Sequence, residues 1–166
     1  MSPELFGEGV VGMRWFSSVL AVVAVVGAVQ LGTAEPAVAA VSQHAAAARV
    51  AGTPCTSAAR ACVDLSSNQA WLIRNGRVSY GPVPVSHGRR GHRTPPGTFR
   101  VTFRDVDHVS SIYGTPMPYS VFFNGGIAFH QGDIGGQSAG CVRMQRSAAR
   151  EFYTSLRRGD VVQVVR

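Results

Sequence analysis

The chain has 166 residues, a length that allows one domain with a real core and little more. It carries 16 basic and 9 acidic residues, a formal charge of +7, and all of the basic residues are arginine. Such a charge favours a polyanionic partner, whose nature depends on whether the chain is exported.

The first forty residues are typical of a secretory signal peptide. Arg14 precedes an apolar run over residues 19–29, and an A-x-A site ends at Ala39. We expect residues 1–39 to be the signal peptide, with cleavage after Ala39 or Ala40, and Met13 is a candidate for the true start. The alternative is an uncleaved membrane anchor, because the apolar region approaches the about 20 residues of a bilayer span. Cleavage would raise the net charge, and an exported basic chain would meet an anionic cell wall rather than nucleic acid.

An Ala-rich linker is predicted over residues 40–54, followed by the folded domain over residues 55–166. Cys55 and Cys62 lie close in sequence at the start of the domain, and an exported chain meets oxidising conditions, so they are candidates for a disulfide. Cys141 is then the odd thiol, and an odd thiol in an exported protein is a candidate for a reactive group. The alternative is that all three are reduced and buried. A metal site is disfavoured, because the cysteines lack C-x-x-C spacing and the five histidines are scattered.

The domain is predicted to be mainly β, of the α+β class, with one helix packed on the sheet. Asn75-Gly76 is a strong hairpin signal, since both residues tolerate positive φ. A single helix is predicted with Ser147 as its N-cap and with Gly159 in the C′ position. The predicted strands cover residues 68–74, 77–85, 98–107, 119–123, 127–129 and 161–165.

The stretch from residue 129 to residue 143, FHQGDIGGQSAGCVR, holds one histidine and one cysteine joined by a glycine-rich segment. His130 would take the proton of the Cys141 thiol, and the imidazolium would hold the thiol pKa down. Gly140 leaves room for a substrate carbonyl beside the N–H groups of Gly140 and Cys141, as an oxyanion site requires. Taken singly, each residue has a simpler interpretation, an inert buried cysteine and a polar core histidine.

Five ordered segments of the chain resemble one family. They are residues 63–72, residues 85–88 (VSHG), residues 94–99 (TPPGTF), residues 117–119 (MPY) and residues 138–143 (SAGCVR). Together they resemble the catalytic domain of L,D-transpeptidases of the YkuD type, over about residues 62–166. The chain departs from the family at Ala139, where many members carry a histidine that lines the oxyanion site.

The resemblance implies a compact mixed β-sheet or sandwich domain and a cysteine acyltransferase without a cofactor. Cys141 would attack the third residue of a peptidoglycan tetrapeptide stem, with release of D-alanine, and the thioester would pass to an amine of a neighbouring stem as a 3→3 cross-link. His130 would be the acid–base group, oriented by the backbone carbonyl of Gln131. The resemblance also implies acylation of Cys141 by carbapenems and three substrate-binding candidates: Arg143, Ser138 and Tyr119. The alternative for Ser138 and Tyr119 is a structural role, in the loop and in the core. We expect the protein to be a monomer. The alternative role of Arg143 is a salt bridge that holds the loop, with Asp133 as the candidate partner.

Two further hypotheses stay open at this point. An L,D-carboxypeptidase would resolve the same thioester with water, and the sequence does not separate it from the transferase. A non-catalytic, basic wall-binding protein is the alternative of a different class, and Ala139 is the one feature in its favour.

Overall fold

The structure is a computed structural model that describes residues 47–166. The predicted signal peptide and residues 40–46 of the predicted linker lie outside the described residues. Within the described part of the chain, no helix is both long and apolar enough to cross a bilayer. The elements are β1 (Ala61–Asp64), β2 (Gln69–Arg74), β3 (Arg77–Ser86), β4 (Gly97–Arg100), β5 (Phe103–Val109), β6 (Pro116–Asn124), β7 (Ile127–Gln131), β8 (Val142–Met144), α1 (Arg146–Ser155) and β9 (Val161–Val165).

All nine strands join one sheet, in the order β4-β9-β1-β2-β3-β8-β7-β6-β5. The pairs β1·β9 and β7·β8 are parallel and the others are antiparallel, so the sheet is mixed. The sheet curls, because β4 at one edge packs near β6, with the ring centroids of Phe99 and Phe123 5.8 Å apart. The predicted fold class, mainly β with one helix on a mixed sheet, is confirmed.

The hairpin predicted at Asn75-Gly76 is present. Arg74 of β2 pairs with Arg77 of β3, and the two turn residues have φ of 53° and 70°. A turn with positive φ at both central residues matches the twist of the flanking strands. This hairpin therefore forms from local sequence alone.

The single strand predicted over residues 98–107 is wrong, because the chain forms two strands there. β4 pairs with β9, whereas β5 pairs with β6 at the opposite end of the sheet order. Between them Val101 is buried, its N–H donates to the Asp160 carbonyl, and the Thr102 N–H donates to Phe122. These two residues carry the chain from one edge of the curled sheet to the other. The alternation of apolar and polar residues does not reveal that the strand partner changes here from β9 to β6.

The helix α1 begins two residues earlier than predicted. Gln145 is the N-cap, with φ −62° and ψ 155° and no side-chain cap, so Ser147 lies inside the first turn. The chain leaves β8 at Met144 and enters the helix after one residue, which leaves no room for a cap at Ser147. Phe152 and Leu156 are buried as expected, and the Phe152 ring centroid lies 5.1 Å from that of Phe129 in β7. α1 thus anchors the inner face of β7.

Cys55 and Cys62 form a disulfide with an S–S distance of 2.04 Å. Both are buried in a small separate cluster with Val50, Trp71 and Ile73. The disulfide therefore joins the segment before β1 to the strand β1 itself.

Candidate active site

Neighbouring parallel strands bring the histidine and the remaining cysteine into one groove. His130 lies in β7, and Cys141 directly precedes Val142 of β8, which pairs with Phe129. Both residues line a groove of about 590 Å³, whose apolar side is formed by Ile112, Tyr113, Met117 and Ile127. The sequence predicts that these two residues act together, and the strand register explains how residues eleven positions apart can share a groove.

The imidazole of His130 is held in one tautomer. Its Nδ1 lies 2.7 Å from the backbone carbonyl of Gln131, the oxygen named from the sequence as the orienting group. A carbonyl oxygen only accepts, so Nδ1 carries the proton and the Nε2 lone pair of the neutral ring is free to accept another. The ring is 7% exposed, which limits competition from water.

The local environment disfavours the charged form of both groups. Burial lowers the pKa of His130 below its ordinary value, the hydrogen bond to Gln131 opposes this change, and the charges of Arg143 and His108 add to it. Burial raises the pKa of the Cys141 thiol, opposed by a hydrogen bond from the Ala128 backbone and by the charge of Arg143. Desolvation therefore disfavours the imidazolium and the thiolate alike, contrary to the expectation that an imidazolium holds the thiol pKa down. The thiol instead donates to the Gly126 carbonyl, at an S···O distance of 3.6 Å.

The loop before Cys141, residues 132–140, is braced by Arg143. The Arg143 Nε donates to the Ser86 hydroxyl at 3.3 Å, and its Nη2 donates to the Gly136 carbonyl. Gly132 permits this packing, since a Cβ there would lie 2.7 Å from the Arg143 Cδ. Arg143 therefore holds the loop, as its alternative role predicted, but it does so by hydrogen bonds to Ser86 of β3 and Gly136 of the loop, and the predicted salt bridge with Asp133 is wrong. The Asp133 carboxylate instead accepts from the Gly135 N–H at 2.9 Å.

The last residues of this loop are fixed by the Ser138 hydroxyl. Ser138 Oγ accepts from the Gly140 N–H at 3.0 Å and donates to the Cys141 carbonyl at 2.6 Å. The Gly140 N–H is therefore already engaged, and the prediction of two free oxyanion donors, Gly140 and Cys141, is corrected to Cys141 alone. Ser138 is buried at 7% exposure, and its hydroxyl holds the loop rather than a substrate.

A second segment, residues 87–94, clamps the same loop from outside. The Ser138 N–H donates to the His87 carbonyl at 2.9 Å, and the Arg89 N–H donates back to the Ser138 carbonyl at 3.0 Å. Thr94, 1% exposed, accepts from the Gly88 N–H at 3.0 Å and donates to the Gly140 carbonyl at 2.7 Å. The sequence prediction missed Thr94. Its place beside Pro95 marked it as part of a turn, and nothing local indicates a contact with residue 140.

Residues 58–164 match the family model YkuD, described as the L,D-transpeptidase catalytic domain. This chain belongs to the YkuD family. The match covers nearly all of the described sheet and includes His130, Cys141 and both segments that hold the cysteine loop.

Solved L,D-transpeptidases share the fold of this YkuD chain. One from Stackebrandtia nassauensis is 31% identical, with a TM-score of 0.61 over 64% of this chain and 54% of its own. L,D-transpeptidase LdtMt1 in complex with imipenem is 22% identical, with a TM-score of 0.58 over 63% of this chain and 57% of its own. L,D-transpeptidase 3 from Mycobacterium tuberculosis, in complex with a faropenem-derived adduct, is 19% identical, with a TM-score of 0.58 over 64% of this chain and 59% of its own.

The match therefore spans between half and three fifths of the length of these solved relatives. No curated protein matches the chain by sequence. The solved structures show the fold of the YkuD domain, and the two at the lower identities show the fold alone.

The two remaining substrate-binding candidates, Arg143 and Tyr119, lie in different parts of this YkuD structure. Arg143 lines the groove, although its guanidinium already binds the cysteine loop. Tyr119, predicted to bind substrate, is not among the residues that line the groove and packs on α1 instead. Its hydroxyl accepts from Arg146 at 3.2 Å, and its ring lies 6.0 Å from that of Tyr153. Strand alternation alone would place Tyr119 on the same face as Met117, which lines the groove, but the unusual φ of 60° at Tyr119 breaks the alternation at this point of β6.

Among residues 47–166, no three His, Cys, Asp or Glu side chains are grouped as a metal site would need. The chemistry available to this groove is that of a thiol, an imidazole and backbone N–H groups.

Proposed function

We propose that the protein is an exported cysteine L,D-transpeptidase that acts on peptidoglycan tetrapeptide stems. The observation that carries the proposal is the Gln131 carbonyl bound to His130 Nδ1, in a groove that also holds the half-buried Cys141 thiol. Because this contact fixes the ring proton on Nδ1, Nε2 of the buried imidazole is the nitrogen that can act as the base. Membership of the YkuD family supports the same assignment.

The first half of the reaction acylates the cysteine. As the Cys141 sulfur bonds to the carbonyl carbon of the third stem residue, its proton passes to His130 Nε2 and the carbonyl oxygen takes the displaced electron pair. The Cys141 N–H is the backbone donor that would stabilise this oxyanion. Collapse of the intermediate breaks the C–N bond, and D-alanine leaves with the proton held on Nε2.

The second half transfers the acyl group. An amine of a neighbouring stem attacks the thioester, gives its proton to His130 Nε2, and the sulfur leaves and is reprotonated. The product is a 3→3 cross-link. Because thiol and imidazole start neutral, deprotonation is coupled to attack, and no standing thiolate is exposed to oxidation between turnovers.

The groove suits an extended peptide with an anionic end. Its lining combines the large side chains of Ile112 and Tyr113 with the charges of Arg89 and Arg143, which outnumber the one carboxylate, that of Asp133. Arg143 is the candidate for a substrate carboxylate, since a guanidinium has five donors and the loop contacts leave some of them unused. The imipenem and faropenem-derived complexes of the relatives support carbapenem acylation of Cys141 here.

The test is covalent labelling followed by product analysis. The purified protein is incubated with imipenem and examined by intact-mass spectrometry, with Cys141→Ser as the matched variant. We expect one adduct on the wild-type protein and none on the variant. Absence of an adduct, or equal labelling of Cys141→Ser, contradicts the enzyme proposal.

Tetrapeptide muropeptides then separate transfer from hydrolysis. Cross-linked dimers support the transpeptidase, whereas tripeptides without dimers would assign the protein as an L,D-carboxypeptidase. Binding to wall sacculi without either product would leave only a wall-binding role.

Export is the remaining part of the proposal. It rests on the signal-peptide pattern of residues 1–39 and on the disulfide between Cys55 and Cys62, a bond that persists in oxidising compartments. N-terminal sequencing of the protein recovered outside the cell should begin at residue 40 or 41. Recovery of the intact chain in the membrane fraction would instead indicate an anchor.

A further inference from the structure

We propose that Thr94 is a positioning residue of the oxyanion site: its hydroxyl fixes the Gly140–Cys141 peptide so that the Cys141 N–H meets the developing oxyanion. The inference rests on the proposed acyl transfer and adds to it a residue that touches neither substrate nor sulfur.

The Thr94 hydroxyl is fully committed to two backbone groups. Its one proton goes to the Gly140 carbonyl at 2.7 Å, and it accepts from the Gly88 N–H at 3.0 Å. The side chain is 1% exposed, so water does not compete for either contact. An alcohol with both roles satisfied inside the protein acts as a fixed link between two chain segments.

The bond to the Gly140 carbonyl determines where the Cys141 N–H points. Both groups belong to one planar peptide unit, in which C=O and N–H point in opposite directions. Because the carbonyl is directed inward to Thr94, the N–H is directed away from Thr94, on the side where Cys141 lines the groove.

The backbone at Gly140 needs such a restraint. Gly140 has φ of +122°, a region that residues with a side chain rarely adopt, and a Cβ there would lie 3.3 Å from Ile127 Cγ1. Glycine reaches this conformation freely but does not prefer it, so the peptide that follows is free to rotate unless another group holds it.

The partner of Thr94 in this task is Ser138. Its hydroxyl accepts from the Gly140 N–H, so that this group is not available as an oxyanion donor, and it donates to the Cys141 carbonyl. The peptide units on both sides of Gly140 are thus bonded to buried hydroxyls. Of the two predicted oxyanion donors, the Cys141 N–H is the one that remains directed outward. Its orientation therefore depends on Thr94.

The test compares two reactions of the same sulfur in the full chain. Acylation by imipenem passes through an oxyanion, whereas alkylation by iodoacetamide displaces iodide at a saturated carbon and forms none. Thr94→Val keeps the shape of the side chain and removes the hydroxyl, and Thr94→Ser keeps the hydroxyl. We expect Thr94→Val to slow the maximal acylation rate by about 10- to 100-fold, less than the about 10²- to 10³-fold cost of removing an oxyanion donor outright, because the Cys141 N–H remains and loses only its orientation. Half-saturation by imipenem and the alkylation rate should each stay within about threefold of wild type.

Thr94→Ser should restore acylation to within about threefold of wild type, which a role in shape alone would not predict. The matched control is Thr102→Val, which also removes a hydroxyl bonded to a backbone carbonyl, that of Phe122 at 3.3 Å, away from the groove. It should leave both reactions unchanged. Thr94→Ala provides the same comparison of rates if Thr94→Val does not fold.

Two outcomes overturn the inference while the proposed function stands: wild-type rates of acylation in Thr94→Val and Thr94→Ala, or an equal fall in acylation and alkylation. The equal fall would mean that Thr94 only supports the loop. A wild-type protein that is alkylated but never acylated would overturn both the proposed function and this inference.

Discussion

The protein contains two sulfur sites that differ in how the chain builds them. Cys55 and Cys62 are seven residues apart, almost fully buried, and packed against Trp71 and Ile73 of the adjoining strand. Cys141 is half-buried in a groove, and the contacts that hold its loop come from Thr94 and Ser86, 46 and 57 residues from their partners. The first site is closed by local chain geometry, whereas the second exists only when the whole sheet has formed.

This difference separates the tasks of the two sites. A disulfide between near neighbours restricts the unfolded chain and needs no precise surroundings. A reactive thiol needs a base, an oxyanion donor and partial burial at once, and each is supplied by a different segment. Changes at the disulfide should therefore alter stability alone, and changes around Cys141 should alter chemistry first.

The largest expected effect comes from the base. His130→Gln keeps a polar side chain in β7 but removes the group that takes the thiol proton, so the acylation rate by imipenem should fall by about 10²- to 10⁴-fold. Stopped-flow or intact-mass kinetics measure this acylation rate. The control is His87→Gln, since His87 also contacts a backbone carbonyl, that of Leu65 at 3.1 Å, but does not line the groove. Equal effects of the two substitutions would break the distinction between a catalytic and a structural histidine.

The disulfide gives the next largest effect, on stability. Replacing Cys55 and Cys62 together by alanine should lower the free energy of unfolding by about 2–3 kcal/mol, as expected for a short closed loop. Urea denaturation measures this change, and the acylation rate should stay within about twofold of wild type. A loss of acylation much larger than that would show that the two sulfur sites are coupled, contrary to the comparison.

The same difference determines what the sequence could predict. The hairpin at Asn75-Gly76 and the strands predicted over residues 119–123 and 127–129 depend on short patterns, and the structure contains them. His130 and Cys141, both taken from one short motif, line one groove. The three-residue strand β8 was not predicted, because its short apolar pattern is hidden next to the glycine-rich loop.

The errors in the candidate site have a common physical cause. Gly140 looks like a free donor in sequence, but the Ser138 hydroxyl two residues away occupies its N–H. Thr94 and Arg143 acquire their roles from hydrogen bonds across the fold, which depend on the register of β3, β7 and β8. The candidate reacting residues and the Gln131 carbonyl next to His130 were therefore predictable, because each depends on a short segment, whereas the groups that orient the cysteine loop across the fold were not.

The acylation of Cys141 should depend on pH, because it requires His130 in its neutral form. In the proposed mechanism neutral His130 is the base, and burial lowers its pKa. Activity should therefore be present above a pKa that lies below the ordinary histidine value and should be lost as pH falls through it. We expect the acylation rate to be constant above about pH 6.5 and to fall about tenfold per pH unit well below the pKa of His130.

Burial raises the pKa of Cys141, so absorbance at 240 nm should show no thiolate at neutral pH. A thiolate signal at pH 7 would mean that an ion pair is the resting state.

The smallest effect is expected at Tyr119, which the sequence predicted to bind substrate and the structure places against α1. Tyr119→Phe removes the hydroxyl that accepts from Arg146 at 3.2 Å, while the ring stays beside Tyr153 and the Arg146 guanidinium, 5.3 Å from its centroid. An exposed hydrogen bond of this kind contributes about 0.5–1.5 kcal/mol, so thermal unfolding should shift only slightly and half-saturation by imipenem should not change. Tyr113→Phe makes the same deletion on a tyrosine that lines the groove, and it serves as the reference. If Tyr119→Phe weakens imipenem binding more than Tyr113→Phe does, then Tyr119 reaches the ligand, and the helix face would have to be counted as part of the site.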